Sequence, residues 1–139
     1  MWTVLFCGER AFTEKEIIDH TLRELASQEK QLHLITGGAR GADRIAAECA
    51  RARGILVTEY PADWARYGKA AGPIRNAQML NEGHPREVFA FFLNRKKSRG
   101  TNHMVSLALK QGCVVHIYEH GRGWSDELTN LTVHPTTTE

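Results

Sequence analysis

The sequence lacks the features that mark secreted and membrane-bound proteins. Its apolar amino-terminal run, residues 2–7, is far too short for a signal peptide or a membrane span. It has only three cysteines, Cys7, Cys49 and Cys113, an odd number at wide spacing. That pattern predicts small buried side chains in a reducing compartment rather than a disulfide framework. We therefore expect a cytoplasmic protein with no membrane partner.

Strong charge and the common cofactor signatures are missing as well. The formal net charge is +2, which argues neither for nor against nucleic-acid binding, because a local basic patch would suffice. The seven histidines show no ligand spacing such as H-x-x-x-H, so we expect no metal site. No glycine is followed by Lys-Ser or Lys-Thr as in a Walker loop, and the glycine spacing is not the dinucleotide pattern G-x-G-x-x-G. The sequence predicts no bound cofactor.

Five apolar runs rich in β-branched and aromatic residues alternate with helical patterns. The predicted strands are residues 2–7, 32–36, 56–60, 88–93 and 113–118. Continuous apolar runs are typical of strands covered on both faces, as in a parallel sheet. A capping box at residues 13–16 predicts the start of the first helix, and apolar periodicity predicts helices over 42–53, 74–80 and 104–110.

This alternation predicts an α/β fold, with a Rossmann-like doubly wound parallel sheet of about five strands. Right-handed crossovers make 3-2-1-4-5 the expected strand order. We assign residues 1–119 to this single domain and residues 120–139 to a C-terminal extension.

Four segments at the carboxyl ends of the predicted strands contain the candidate ligand-binding residues. In a doubly wound sheet these ends share one rim, where ligands bind. Glycines let the backbone approach an anion, and the helix that follows presents free N–H groups. The predicted ligand-binding residues are Gly8, Arg10, Thr36, Gly37, Gly38, Arg40, Gly41, Asp43, Asp63, Trp64, Lys69, Arg75, Asn76, Ser98, Arg99, Gly100 and Thr101. Their convergence predicts a phosphate site.

Several of these residues have a competing structural interpretation. Gly37 and Gly38 either permit a tight turn or cradle a phosphate, and the second glycine-hydroxyl loop at residues 98–101 favours the phosphate. Asp43 either caps the helix after the glycine loop or binds a ribose hydroxyl. Trp64 either stacks on a base or packs against the edge of the sheet.

Together the loops resemble the YspA/YpsA-related branch of the SLOG superfamily, which includes the SMF/DprA and LOG groups. The resemblance rests on Gly8-x-Arg10 and on the runs 36–43, 60–64, 68–79 and 98–101, and it covers roughly residues 2–118. It implies a Rossmann-like fold that binds a nucleotide or a nucleotide-derived ligand. Because relatives of this size often pair through the helices that flank the site, it also implies a homo-oligomer, most simply a dimer.

The resemblance to LOG enzymes implies a catalytic alternative, the hydrolysis of the N-glycosidic bond of a nucleoside 5′-monophosphate. Arg75 matches the family's helical arginine, but the glutamate expected after Gly100-Thr101 is absent. Cleavage needs a carboxylate beside the oxocarbenium-like centre. Only Glu9, Asp43 or Asp63 could replace it. We predict Glu9 as the catalytic carboxylate, Asp63 as the second choice, and Arg75 as the group that holds the phosphate or the sugar.

The DNA-processing relatives imply a third function, binding of single-stranded nucleic acid. Their Ser-Gly-x-Ala-Arg-Gly-Ile-Asp loop is close to residues 36–43, and residues 95–99 form a small basic run. The longer basic surfaces of those relatives are not evident in this nearly neutral chain. The sequence thus favours a nucleotide-binding domain, with a glycosidase and a nucleic-acid-binding protein as alternatives.

Overall fold

A computed structural model describes residues 1–28 and 31–127. One sheet runs in the order β3-β2-β1-β4-β5-β6. Its strands are β1 Trp2–Gly8, β2 Leu32–Thr36, β3 Leu56–Glu59, β4 Glu87–Phe92, β5 Val114–Glu119 and β6 Gly123–Glu127. Strands β1 to β5 are parallel, and β6 pairs antiparallel with β5. The α/β class and the predicted order of the first five strands are confirmed.

The sixth strand lies in the segment that the sequence analysis treated as an extension, so the predicted sheet was one strand short. Its sequence, Gly-Trp-Ser-Asp-Glu, is polar and carries no apolar run. It is held by side chains instead: the Trp124 ring lies 5.5 Å from the Tyr118 ring, and Asp126 Oδ1 lies 2.8 Å from His116 Nδ1. Residues 128–139, the remainder of that extension, lie outside the described residues.

Helices cover both faces of the sheet. They are α1 Lys15–Gln28, α2 Ala42–Ala52, α3 Trp64–Tyr67, α4 Ala71–Gly83 and α5 Arg99–Lys110, with a single 3-10 turn between α3 and α4 and another before α5. Alternate residues of β1 belong to two separate cores: Val4 and Phe6 pack on the side of α1 and α2, and Leu5 and Cys7 on the side of α4 and α5. This double burial explains the continuous apolar runs.

Three helices begin at other residues than the pattern predicted. The helix expected from the capping box begins at Lys15, and no capping hydrogen bond from Thr13 is present among the described residues. The predicted helices 74–80 and 104–110 begin earlier, at Ala71 and Arg99. Apolar periodicity indicates only those helical turns whose side chains pack into the core. In the first turn of α5 just one side chain, that of Thr101, is buried.

The order of the strands creates a switch point beside β1. The helices that connect β1, β2 and β3 cover one face of the sheet, and those that connect β3, β4 and β5 cover the other. A crevice opens where the direction reverses, outside the carboxyl ends of β1 and β4. No helix in the described part of the chain is long and apolar enough to cross a membrane.

Two leucines on neighbouring strands offer a matched test of this core. Leu34 on β2 is fully buried, whereas Leu56 on β3 is 57% exposed. We expect Leu34→Ala to lower the free energy of unfolding by about 2–5 kcal/mol, because it removes buried methyl groups and leaves a cavity. Leu56→Ala should cost less than about 1 kcal/mol. Urea denaturation measures both, and equal losses would contradict the assigned burial.

Candidate ligand-binding site

The crevice at the switch point opens into a cavity of about 650 Å³, which we call the larger cavity. Small-molecule sites typically enclose roughly 300–1,000 Å³. All four predicted loop segments contribute to its wall. The predicted residues that line it are Gly8, Glu9, Arg10, Asp43, Trp64, Lys69, Arg75, Asn76, Ser98, Arg99, Gly100 and Thr101. The structure therefore brings most of the predicted site residues to one place.

A second cavity of about 310 Å³, the smaller cavity, adjoins the first and shares Arg10, Trp64 and Arg75 with it. The remaining predicted residues on its wall are Gly37, Gly38 and Arg40. Three predicted residues line neither cavity: Thr36, Gly41 and Asp63. Thr36 is fully buried under the loop, and Gly41 packs its α-carbon against the carbonyls of Glu9 and Arg10.

Positive charge dominates the wall of the larger cavity. Five cationic side chains line it, against the two carboxylates of Glu9 and Asp43; the cations are Arg10, Lys69, Arg75, Lys97 and Arg99. Lys97 was predicted only as part of a basic run, and Arg44, which lines the smaller cavity, was not predicted as a site residue. A signal for Arg44 existed, because it lies in the first turn of the helix that follows the predicted glycine loop. The site is suited to an anion.

The amino end of α5 forms part of the larger cavity. Ser98 precedes the helix, and its hydroxyl donates to the Asn94 carbonyl over 3.0 Å instead of capping a helix amide. The first helical hydrogen bond comes from the N–H of Asn102, so the N–H groups of residues 99–101 have no acceptor in the described part of the chain. Free first-turn N–H groups and the positive end of the helix dipole together attract anions.

Three hydrogen-bond acceptors hold the Arg75 side chain in place. Its Nη1 donates to the carbonyls of Gly37 and Tyr60, and its Nε donates to Asn76 Oδ1 over 3.1 Å. Burial lowers the pKa of Arg75, but a guanidinium stays charged at any ordinary pH. A Cβ at position 37 would overlap this guanidinium, which explains the glycine there. Arg75 therefore positions the glycine loop, in addition to lining both cavities.

Asn76 extends this network to α5. Its Nδ2 donates to the Gly100 carbonyl over 3.4 Å and lies 3.2 Å from His103 Nδ1. The side chain is buried, so these contacts satisfy an amide that water does not reach freely. Through Arg75 and Asn76 the glycine loop after β2 is connected to the first turn of α5.

Asp43 lies at the bottom of the site and is 5% exposed. Its Oδ2 accepts from the Ala39 N–H over 3.2 Å, so it closes the glycine loop; the capping interpretation is wrong, because no side chain caps α2. Its Oδ1 and Thr36 Oγ1 have no hydrogen bond of normal geometry, although the hydroxyl is near enough to lower the pKa of the carboxyl. Burial outweighs this effect and those of the Ala39 N–H and Arg75, and raises the pKa of Asp43 to about 6.

Glu9 lines the larger cavity with one of its oxygens already engaged. Oε2 accepts hydrogen bonds from the N–H groups of Leu93, over 2.6 Å, and Asn94, over 2.9 Å. These contacts tie the end of β1 to the chain that follows β4. Oε1 has no hydrogen-bond partner in the described ranges, so one carboxylate oxygen remains available to a ligand.

Asp63 and Trp64, adjacent in sequence, have different environments. Asp63 Oδ1 accepts from the Arg66 N–H over 3.1 Å, which makes Asp63 the N-cap of α3 and keeps it outside both cavities. Trp64 is 47% exposed and lines both cavities, and the Arg10 guanidinium lies 5.3 Å from its ring centroid. The ring is therefore accessible from both cavities, as stacking on a base would require.

The fold and this cleft define a Rossmann-like domain with a positively charged rim, and the comparisons with known proteins specify the family. The model of the YspA, cpYpsA-related SLOG family matches residues 2–67. The Gene 61 protein of Mycobacterium phage D29 is similar to this chain, with 38% identity over 121 residues that cover 83% of the chain and 94% of that protein. The chain belongs to the YspA/cpYpsA-related SLOG family, which confirms the resemblance. Membership points to a nucleotide-related ligand or a glycosidase-type activity.

The buried carboxyl makes stability depend on pH in a defined direction. Because the pKa of Asp43 is about 6 in the folded chain, against an ordinary value of 3.8, the folded state binds this proton more tightly than the unfolded state. The stabilisation that comes from this tighter proton binding is therefore fully present below the ordinary pKa and is lost as the pH rises through 6. We expect the stability of the natural chain, relative to Asp43→Asn, to fall by about 2 kcal/mol between pH 4.5 and pH 8.

Urea denaturation at several pH values measures this difference. Asp63→Asn is the matched control, because it is the same substitution at an exposed position outside both cavities. Parallel stability curves for the natural chain and Asp43→Asn would refute the raised pKa.

Proposed function

We propose that the chain binds a nucleotide or a nucleotide-derived ligand in the larger cavity, with its phosphate at the amino end of α5. The observation that carries this proposal is the coincidence, on one wall, of free first-turn N–H groups with Lys97 and Arg99. Lys69 adds a third positive charge to the same cavity. Charge-assisted hydrogen bonds to a phosphate are about twice as strong as neutral ones.

The rest of the cavity favours a nucleotide over a bare phosphate ion. Beside the polar groups its wall includes the apolar side chains of Cys7, Met79 and Met104, all of them buried. An apolar surface next to a phosphate site suits a ribose or a base. The accessible ring of Trp64 offers a stacking surface that any base can use. Membership of the SLOG family supports the same ligand class.

Removing one cation at the helix end tests the placement of the phosphate. We expect Arg99→Ala to weaken binding of a nucleoside 5′-monophosphate by about ten- to a hundredfold, because one charge-assisted contact is lost. Lys110→Ala removes the same charge at the opposite end of α5 and should change the affinity less than about twofold. A thermal-shift panel of nucleotides identifies the base, and calorimetry then gives the affinities. Equal effects of the two variants, or no binding of any nucleotide at millimolar concentration, would contradict the proposal.

A second candidate is hydrolysis of the N-glycosidic bond of a nucleoside 5′-monophosphate. The specific observation in its favour is that Glu9 and Asp43 line the same cavity as the proposed phosphate site. In this proposal the free Glu9 oxygen stabilises the positive charge that develops at the anomeric carbon. The C–N bond breaks as the base takes a proton, which the Asp43 carboxyl, with a pKa of about 6, is able to supply. Water forms the new C–O bond at the anomeric carbon, and the proton that it loses restores the Asp43 carboxyl.

Release of free base from nucleoside monophosphates, followed by chromatography, tests this candidate. We expect Glu9→Gln to lower the release at least about a hundredfold while nucleotide binding persists. Asp63→Asn serves as the control, since Asp63 was the alternative carboxylate and lies outside both cavities. Unchanged release in Glu9→Gln would exclude its catalytic role. No release by the natural chain would exclude the hydrolase and leave the binding proposal standing.

A further inference from the structure

The smaller cavity differs from the larger one because its wall carries charge of one sign only. Every charged side chain on its wall is an arginine: Arg10, Arg40, Arg44 and Arg75. Among the described residues, no carboxylate lines it. Clustered like charges raise the energy of the folded chain unless solvent or an anion compensates them. The smaller cavity therefore favours an anionic ligand more strongly than the larger cavity does.

Three of these arginines are not engaged by the protein's own acceptors. Within residues 1–28 and 31–127, Arg10, Arg40 and Arg44 form no ion pair and no side-chain hydrogen bond; the Arg10 guanidinium lies over the ring of Trp64. Other arginines of the described chain have carboxylate partners, as Arg51 has in Glu59 over 2.8 Å. Glu59 approaches the glycine loop near Gly38, but this pairing with Arg51 occupies it.

The two cavities are adjacent rather than independent. Arg10, Trp64 and Arg75 belong to the walls of both, so a ligand that stacks on Trp64 reaches into each. The proposed function puts one phosphate at α5, and the guanidinium groups of the smaller cavity supply the positive charge and the N–H donors that a second phosphate needs. We infer that the ligand carries two phosphate groups at separate positions, one in each cavity. This inference rests on the proposed function and specifies its ligand class.

Nucleotides with this chemistry include a nucleoside 3′,5′-bisphosphate and a 5′-phosphorylated dinucleotide, which serve as the two probes. Calorimetry at one fixed ionic strength compares them with the 5′-monophosphate and the 5′-diphosphate of the same base. The 5′-diphosphate is the control for charge, because its second phosphate is adjacent to the first. We expect the bisphosphate or the dinucleotide to bind at least about tenfold more tightly than both controls, and the tighter of the two identifies the source.

Arg44→Ala tests whether the smaller cavity supplies this gain. Arg44 is exposed at the start of α2 and lines only the smaller cavity, so its removal should leave the fold intact. We expect a loss of about tenfold or more for the ligand with separated phosphates, and less than about twofold for the monophosphate. Arg23→Ala, an exposed arginine on α1 outside both cavities, controls for the change in net charge.

The outcomes separate this inference from the proposal on which it rests. If the monophosphate binds and Arg99→Ala weakens it, while separated phosphates bring no gain or Arg44→Ala weakens all ligands equally, the inference is overturned and the proposed function stands. If no nucleotide binds, both are overturned. A gain that disappears selectively in Arg44→Ala supports both.

Discussion

The geometry of the site depends on one partly buried guanidinium, that of Arg75. Arg75 donates hydrogen bonds to Asn76 and to the carbonyl of Gly37, in the loop after β2. Asn76 in turn donates to the Gly100 carbonyl at the start of α5. A hydrogen bond to a charged group in a buried setting is among the stronger non-covalent contacts, and leaving such a group unpaired is costly. The same contact requires a glycine at position 37, because any side chain there would overlap the guanidinium. Two loops that are far apart in sequence are thus held at a fixed separation.

Charge is distributed unevenly between the site and the rest of the chain. The net charge of +2 gives no indication of a basic site, yet the two cavities gather most of the arginines that lack a carboxylate partner. Elsewhere on the surface, pairs such as Arg53 with Asp19, 2.9 Å apart, neutralise each other. A cleft with one sign of charge focuses the field on an incoming anion, and pairing outside the cleft limits binding at other places.

The fold was predictable where burial shaped the sequence, and less so elsewhere. The five parallel strands appear as apolar runs because both of their faces are covered, whereas β6 is polar at an edge and shows no such run. The predicted site residues of the four loops meet because the carboxyl ends of parallel strands share a rim. The sequence did not indicate that α5 begins at Arg99, that Asp43 closes the glycine loop, or that Asp63 caps α3. An aspartate in a loop is suited both to accept a nearby backbone N–H and to bind a ligand, so residue type alone does not decide between these roles.

The two edges of the sheet bear on how the chain avoids aggregation. An open strand edge is a template for pairing with another molecule, and parallel sheets expose such edges for longer while they fold. On one side β6 covers β5 and itself presents Ser125, Asp126 and Glu127. On the other side β3 has only four residues and ends at Glu59. A short edge strand and a charged edge strand are both poor templates for pairing with another molecule. The polar sequence of β6, which prevented its prediction as a strand, therefore also protects the sheet from intermolecular growth.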